Sequence, residues 1–374
     1  MRIGIDIRDL AFPIVGVGNA TLQLLDYIDR QNEHEKCILY QYSTNQYCKS
    51  NSSIRKVAPI SPYSYLREQI YFSARTVLDK LNIFHAPIHL PPFHFSKKTK
   101  IVFTVHDLHS ELDQTYFPPD MNKYFQGRRQ RAIQIADAVI VHSKFVQEKV
   151  CEIGKVNANK VHVVPLSIPA TFKRVINEES IETIKRKYSL PDRYVLFVGS
   201  IEPWKNVQML IKAFLSYKSK TNDDIHLIIA GRDGWNKEVC SFMKHSVDAS
   251  PFVRWLDYVP SHDLPEIYKC ATLFASASLW EGFGIVFLEA MEYGIPIIAA
   301  NHAAIPEVVG NAGVLFDILL PEDLEEKLSY VLKNNSVLER LSQAGKKRFA
   351  SFEKRDYGKA IYDIYKDLIE HTEN

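Results

Sequence analysis

Short, almost uninterrupted apolar runs punctuate this chain, and between them the apolar residues return with helical rather than alternating spacing. Runs of this kind, bounded by turn residues, predict strands buried on both faces, as in a parallel sheet whose crossovers are helices. "RIGIDI" predicts the first strand; the loop "RDLAFPIVGVGN" and a helix from about Thr21 follow it. "KCILYQYS", "IFHAPI", "KIVFTVHDL", "DAVIVHS" and "KVHVVPLSI" predict further strands, with "NKYFQGRRQRAIQIA" as an intervening helix. The second half starts afresh. The helix "SIETIKRKYSL" leads to the strand "RYVLFVGS", then the helix "NVQMLIKAFLSYKSK" and the strands "IHLIIAG", "VRWLDYV", "TLFASAS" and "PIIAA". Strand and helix alternate in both halves, which predicts an α/β fold with two open parallel sheets. The break falls near 166–178, "LSIPATFKRVINEE".

A length of 374 residues agrees with two cores rather than one. We set the domains at 1–170, with a C-terminal helix of about 355–374, and at 171–354. The net charge of +2 excludes a strong nucleic-acid field over the whole molecule. The halves differ, however. Residues 1–170 hold 21 Lys+Arg against 15 Asp+Glu, which leaves 25 against 29 for the rest. A basic first half suits an anionic membrane surface or an acidic substrate, and equally a chance imbalance on solvated faces. The five cysteines are scattered with no CxxC pair, as in a reducing cytoplasm. "MRIGIDIRDL" lacks the apolar core of a signal peptide, and no apolar run reaches bilayer length. The expectation is a cytoplasmic protein whose membrane contact, if any, is peripheral through the N-terminal domain.

In parallel sheets ligands bind beyond the C-terminal ends of the strands, so residues just after strands carry the chemistry. Gly16 and Gly18 in "VGVGN" let backbone N–H groups approach a phosphate, or simply turn the chain into a helix. His106, in "TVHDL", can bond a hydroxyl or phosphate, with Asp107 to orient it or cap the next segment. Lys205, in "FVGSIEPWKN", is a natural diphosphate partner or a solvated loop charge. "LWEGFGIVFLEA" places Glu281 before a helix that starts near Gly284–Ile285 and Glu289 about one turn inside it. Free N–H groups at that start favour phosphate. Glu281 suits hydroxyl groups and Glu289 a ribose diol, unless both are ordinary acids of a helix start.

Together these stretches resemble the retaining glycosyltransferases of family 4, which have the GT-B fold: two Rossmann-like domains facing across a cleft. Residues 275–316, "ASASLWEGFGIVFLEAMEYGIPIIAANHAAIPEVVGNAGVLF", match that family's E-x7-E donor signature. "FVGSIEPWKN" matches its Gly-to-Lys-Asn loop, "GIDIRDLAFPIVGVGN" its N-terminal loop, "IVFTVHDLHS" its histidine strand and "IVHSKFVQEKV" the segment after it. The resemblance implies that Gly16 and Gly18 line the donor phosphate and acceptor side, and that His106 lies near the transferred sugar. It implies Lys205 on the diphosphate and Glu281 on sugar hydroxyls. The backbone of Gly282, Phe283, Gly284, Ile285 and Val286 would lie beside sugar and phosphate, with Glu289 on the ribose. The helix "RDYGKAIYDIYKDLI" would return to the N-terminal domain. Two departures stand out. Ser200 occupies a position where many relatives have Arg, and Trp204-Lys205 replaces Arg-Lys. Arg232, in "AGRDGW", is a candidate substitute.

The resemblance thus implies transfer of a hexose from a nucleotide diphosphate sugar to a glycan or lipid-linked hydroxyl in surface polysaccharide assembly, with retention of configuration. No resident cofactor is expected, and no metal: Asp223-Asp224, the nearest acidic pair, precedes its strand. The catalytic candidates are His106, Lys205 and Glu281, and mannose is the first reading of the sugar. A nucleotide-sugar epimerase and a non-catalytic partner subunit are the rival classes. "SPYSYLREQIYFSAR" is either an amphipathic core helix or an acceptor and membrane surface.

Overall fold

The computed structural model describes residues 1–11, 16–31, 36–42, 53–57, 65–92, 98–116 and 127–370. Contacts divide the chain into two units. The first joins Met1–Ser167 to Arg355–Asn374, and the second is Ile168–Lys354.

The first unit holds a seven-stranded sheet in the order β3-β2-β1-β4-β5-β6-β7. Its strands are β1 Ile3–Asp6, β2 Cys37–Tyr42, β3 Ser53–Val57, β4 Ile83–Ala86, β5 Lys100–Thr104, β6 Ala138–Val141 and β7 Val161–Val163. Every pairing is parallel. The strands β1, β4 and β6 are buried along their whole length, which is why their sequences do not alternate. Tyr40, Phe72 and Phe84 pack edge to face or tilted on one side of the sheet, at ring separations of 5.4–5.9 Å.

The second unit holds six parallel strands in the order β10-β9-β8-β11-β12-β13. These are β8 Tyr194–Val198, β9 His226–Ala230, β10 Val253–Trp255, β11 Leu273–Ser276, β12 Ile297–Ala300 and β13 Gly313–Phe316. Both sheets therefore have the doubly wound order in which the winding reverses beside the first strand. That point lies between β1 and β4 in one unit and between β8 and β11 in the other.

The expected α/β class with two parallel-sheet, Rossmann-like domains is what the molecule has. Two strands, β3 and β13, were not foreseen. The first helix spans Gly16–Arg30 rather than starting near Thr21, so Gly16 and Gly18 belong to its first turn, not to a preceding loop. Of the expected helix "NKYFQGRRQRAIQIA", residues 122–126 lie outside the described residues, and Arg128–Ile135 is helical. The helix Tyr65–Leu78 buries Gln69, Phe72 and Thr76, as a core helix does, but leaves Ile70, Val77 and Leu78 exposed at 64%, 56% and 68%.

The helix Tyr357–Glu370 returns to the first unit and packs within it. It approaches Gly16–Arg30 so closely that a Cβ on Gly358 would come 2.4 Å from Tyr27 Cβ. Tyr365 Oη meets His85 Nδ1 on β4 at 2.5 Å, tying this last helix to the sheet.

Candidate active site

In the second unit the loops after β8, β9, β11 and β12 are stitched together at the C-terminal edge of the sheet. After β8 the chain runs beside the loop after β9, where Gly199 N donates to Ala230 O and Ile201 N to Arg232 O, both at 3.0 Å. The approach is so close that a Cβ on Gly231 would fall 1.8 Å from Gly199 O. A turn of 3-10 helix, Pro203–Lys205, follows, and Asn206 takes a left-handed conformation (φ 50°) before the helix Val207–Ser219 begins. Asn tolerates that conformation better than most residues, which accounts for the Lys-Asn pair.

From the other side of the winding reversal, Leu279 N donates to Trp204 O at 2.7 Å and Ala304 N to Glu281 O at 3.3 Å. The Glu281 loop is thereby pinned between two neighbours. Lys205 Nζ then donates to Glu281 Oε1 at 2.6 Å, with the two side chains 19% and 11% exposed. Two residues 76 positions apart meet at the reversal between β8 and β11.

Gly284 carries the turn into the helix Ile285–Glu292, at φ 87°. A Cβ there would lie 2.6 Å from the Phe287 ring, so a side chain meets both strain and a clash. Phe283 is buried with its ring against Phe352, whereas Gly282, Gly284, Ile285 and Val286 keep partial exposure. Glu289 lies one turn into the helix, 7% exposed, and its Oε2 accepts from Tyr268 Oη at 2.8 Å. Burial pushes the Glu289 carboxyl up to about 7, although the Tyr268 bond pulls it back.

Ser200 lies partly buried in the loop after β8 and accepts from Glu202 N through its carbonyl. The Arg232 side chain is exposed on the loop after β9. Burial raises the Glu202 carboxyl, and the charges of Arg232 and Lys205 both act against that rise. Arg232 is thus within electrostatic reach of the loop that carries Lys205.

In the first unit His106 follows β5, its Nε2 2.9 Å from Pro87 O and its Nδ1 2.9 Å from His142 Nε2. Asp107 is exposed, and its Oδ1 accepts from His109 N, as a local cap does. The Gly16–Arg30 helix begins at Gly16, so the N–H groups of its first turn have no partner within the helix itself.

Lys205, Glu281, Ser200, Gly282 and Gly284 thus cluster around one reversal point, with Glu289 in the helix behind them. Residues 106, 16 and 18 belong to the other unit. Two partners were missed. Tyr268 gave no signal, being 21 residues from Glu289. His142 did: it follows the apolar stretch of "DAVIVHS" as His106 follows that of "KIVFTVHDL", each just past its strand.

The geometry is that of an α/β protein of two doubly wound units, with a cation and two carboxylates at one sheet edge. Residues 14–172 match the family described as Glycosyltransferase Family 4, and residues 180–348 match Glycosyl transferases group 1. The chain belongs to these glycosyltransferases, of GT-B type. Over 351 residues it is 25% identical to the O-antigen chain mannosyltransferase B of Escherichia coli, covering 89% of this chain and 90% of that one. It is 26% identical over 232 residues to the E. coli serotype-specific mannosyltransferase WbdA, covering 61% of this chain and 28% of that longer one. Among solved structures, Anabaena HepE in complex with UDP and glucose superposes with a TM-score of 0.71 at 16% identity, covering 98% of this chain and all of that one. That likeness speaks for the fold alone.

Proposed function

We propose that this glycosyltransferase moves a hexose, with mannose as the first reading, from a nucleotide diphosphate sugar to a glycan or lipid-linked hydroxyl, retaining the anomeric configuration. The observation that carries the reading is the Lys205–Glu281 contact at the reversal point of the second sheet. An ammonium has three N–H groups, so one on Glu281 leaves two for a diphosphate. The start of the helix Ile285–Glu292, which no side chain caps, adds backbone N–H groups. Together these stabilise the charge that develops on a departing diphosphate without need of a metal ion. Glu281 accepts from sugar hydroxyls, and Glu289, held from behind by Tyr268, accepts from the ribose. With both carboxylates so engaged, attack on the face of the leaving group, with the diphosphate as base, is the favoured route.

Mannose rests on the E. coli mannosyltransferases that the chain resembles, and a nucleotide diphosphate donor on HepE, which was solved with UDP and glucose. Among the described residues, no helix is long and apolar enough to cross a membrane. The exposed Ile70, Val77 and Leu78, flanked by the exposed Arg67 and Lys80, support peripheral contact of the first unit with an anionic membrane surface. Sedimentation with phosphatidylglycerol vesicles, lost in Ile70→Ser/Val77→Ser, tests that part.

The test of the main reading is incubation of the purified chain with GDP-mannose, UDP-glucose or ADP-glucose and a mannose-terminated or lipid-linked glycan, followed by NMR. Transfer with an α-linked product is expected. A β-linked product refutes retention, and isomerised donor without acceptor identifies an epimerase. Absence of transfer and of donor hydrolysis with every donor refutes the catalytic reading.

A further inference from the structure

Two histidines stand side by side at the C-terminal edge of the first sheet. β5 and β6 pair with Thr104 opposite Ile140, and that register, continued for two residues, sets His106 opposite His142. β7 lies beyond, with Val163 opposite Val141, and Pro87 follows β4 on the near side. A row of polar contacts therefore crosses the ends of four adjacent strands. His106 Nε2 meets Pro87 O, His106 Nδ1 meets His142 Nε2, and His142 Nδ1 meets Val164 O, each at 2.9 Å.

Both ends of this row are carbonyl oxygens, which only accept. Its three junctions need three protons, whereas two neutral imidazoles supply two. The neutral pair must leave one junction with lone pairs facing each other; one more proton completes all three. Burial opposes the charge, pushing His106 down to about 4 and His142 to about 3. The surrounding elements contribute His85 on β4, His89 beyond it, Asp107 beside His106 and His162 on β7. They also bring Arg129, which donates to Asp107 O and Glu111, and Tyr357, whose ring lies 5.9 Å from His142. Of these, His85 and Arg129 act against charge on His106. His142 is the deeper ring, so its bond to Val164 O is the junction that keeps its proton.

We propose that His106 and His142 form one proton-accepting unit, in which His142 is a positioning residue. It holds a lone pair against His106 Nδ1, keeps the proton of neutral His106 there, and shares the charge when the unit takes up a third proton from solvent. The unmatched junction of the neutral unit then lies at Pro87 O, and an anion bound at this edge of the first sheet would favour the uptake that closes it. The inference concerns protonation alone and stands apart from the sugar assigned to His106.

Imidazole nitrogen NMR of histidine-labelled protein between pH 3 and pH 8 tests it without any ligand or activity. At pH 8 the expected state is His106 protonated at Nδ1 and bare at Nε2, with His142 protonated at Nδ1. On acidification both rings should shift together through one midpoint. His142→Gln offers an amide oxygen to His106 and an N–H to Val164 O, so the Nδ1 proton stays; in His142→Phe it moves to Nε2. A wild-type His106 carrying its proton on Nε2 at pH 8, or two rings titrating separately, would overturn the proposal. In transfer assays, loss of an orienting partner is expected to lower kcat about tenfold in His142→Phe. The donor KM should stay nearly unchanged and His142→Gln should restore most of kcat. Equal losses in the two variants would reduce His142 to packing.

Discussion

Replacing Lys205 and replacing Glu281 should move nucleotide affinity in opposite directions. The two side chains share one contact of 2.6 Å and are mostly covered, so each feels the loss of the other. On the proposed role of Lys205, Lys205→Met removes a charge-assisted bond to the diphosphate worth about 1.5–3 kcal/mol. The Kd for GDP or UDP should rise about 10- to 150-fold. Glu281→Ala removes an anion that the diphosphate would otherwise face. An ammonium gripped from two sides keeps its anions about 5 Å apart, where unit charges repel by about 3 kcal/mol at an effective dielectric constant of about 20. Both side chains keep some exposure, and screening brings this to about 1 kcal/mol. The nucleoside diphosphate should therefore bind about fivefold tighter to Glu281→Ala. Transfer by the same variant should fall about 100-fold or more, because the hydroxyl contacts proposed for Glu281 would be gone. Calorimetric titration of wild type and both variants with GDP and UDP reads the first effect, and kcat/KM reads the second. Thermal melting checks that each variant is folded. Weaker nucleotide binding to Glu281→Ala would refute one ammonium shared between carboxylate and diphosphate. Unchanged binding to Lys205→Met would refute Lys205 as the diphosphate ligand.

Three further outcomes follow from the same contacts. The folded-state pKa of Glu289 is raised to about 7, so its contribution to stability is full below the unfolded value near 4.5 and is lost as pH rises through 7. Glu289→Gln should therefore stabilise the chain by up to about 3 kcal/mol at pH 8 and by little at pH 4, read from urea unfolding at the two pH values, while weakening donor binding. Arg8, fully buried, grips Asp6 with two N–H groups and Glu68 with a third, its guanidinium 4.8 Å from the Phe72 ring. Arg8→Met should cost about 3–5 kcal/mol by leaving Asp6 buried without its cation, and adding Asp6→Asn should recover part of that; no recovery would refute the charge argument. Dialysis against EDTA should leave transfer from GDP-mannose unchanged, and activity abolished by EDTA and restored by Mg²⁺ would overturn the metal-free reading.

Most of the strand framework could be read from the amino acids because central parallel strands are apolar on both faces. β3 escaped because it is an edge strand, "SIRKV", with polar residues at three of its five positions and no apolar run to mark it. β13 escaped because four residues, "GVLF", sit inside a longer motif. Lys205, Glu281 and Glu289 stood out by their spacing and their place after strands. That Lys205 touches Glu281, and Tyr268 touches Glu289, is a matter of strand order, which local pattern does not encode. The early helix start at Gly16 went unseen because two glycines within three residues argue for a turn on local grounds.

The return of the last helix to the first unit sets an order of events on the ribosome. The first unit is begun first and finished last, because the 187 residues of 168–354 are made before its closing segment. At about 5–20 residues per second this interval is about 10–40 s. For that time Tyr27 lacks its neighbours Gly358 and Tyr362, and His85 lacks Tyr365. A nascent chain stopped at 354 would contain every residue of the second unit and a first unit missing one wall. During that interval the half-made first unit, rather than the completed second, is the one left with an uncovered wall.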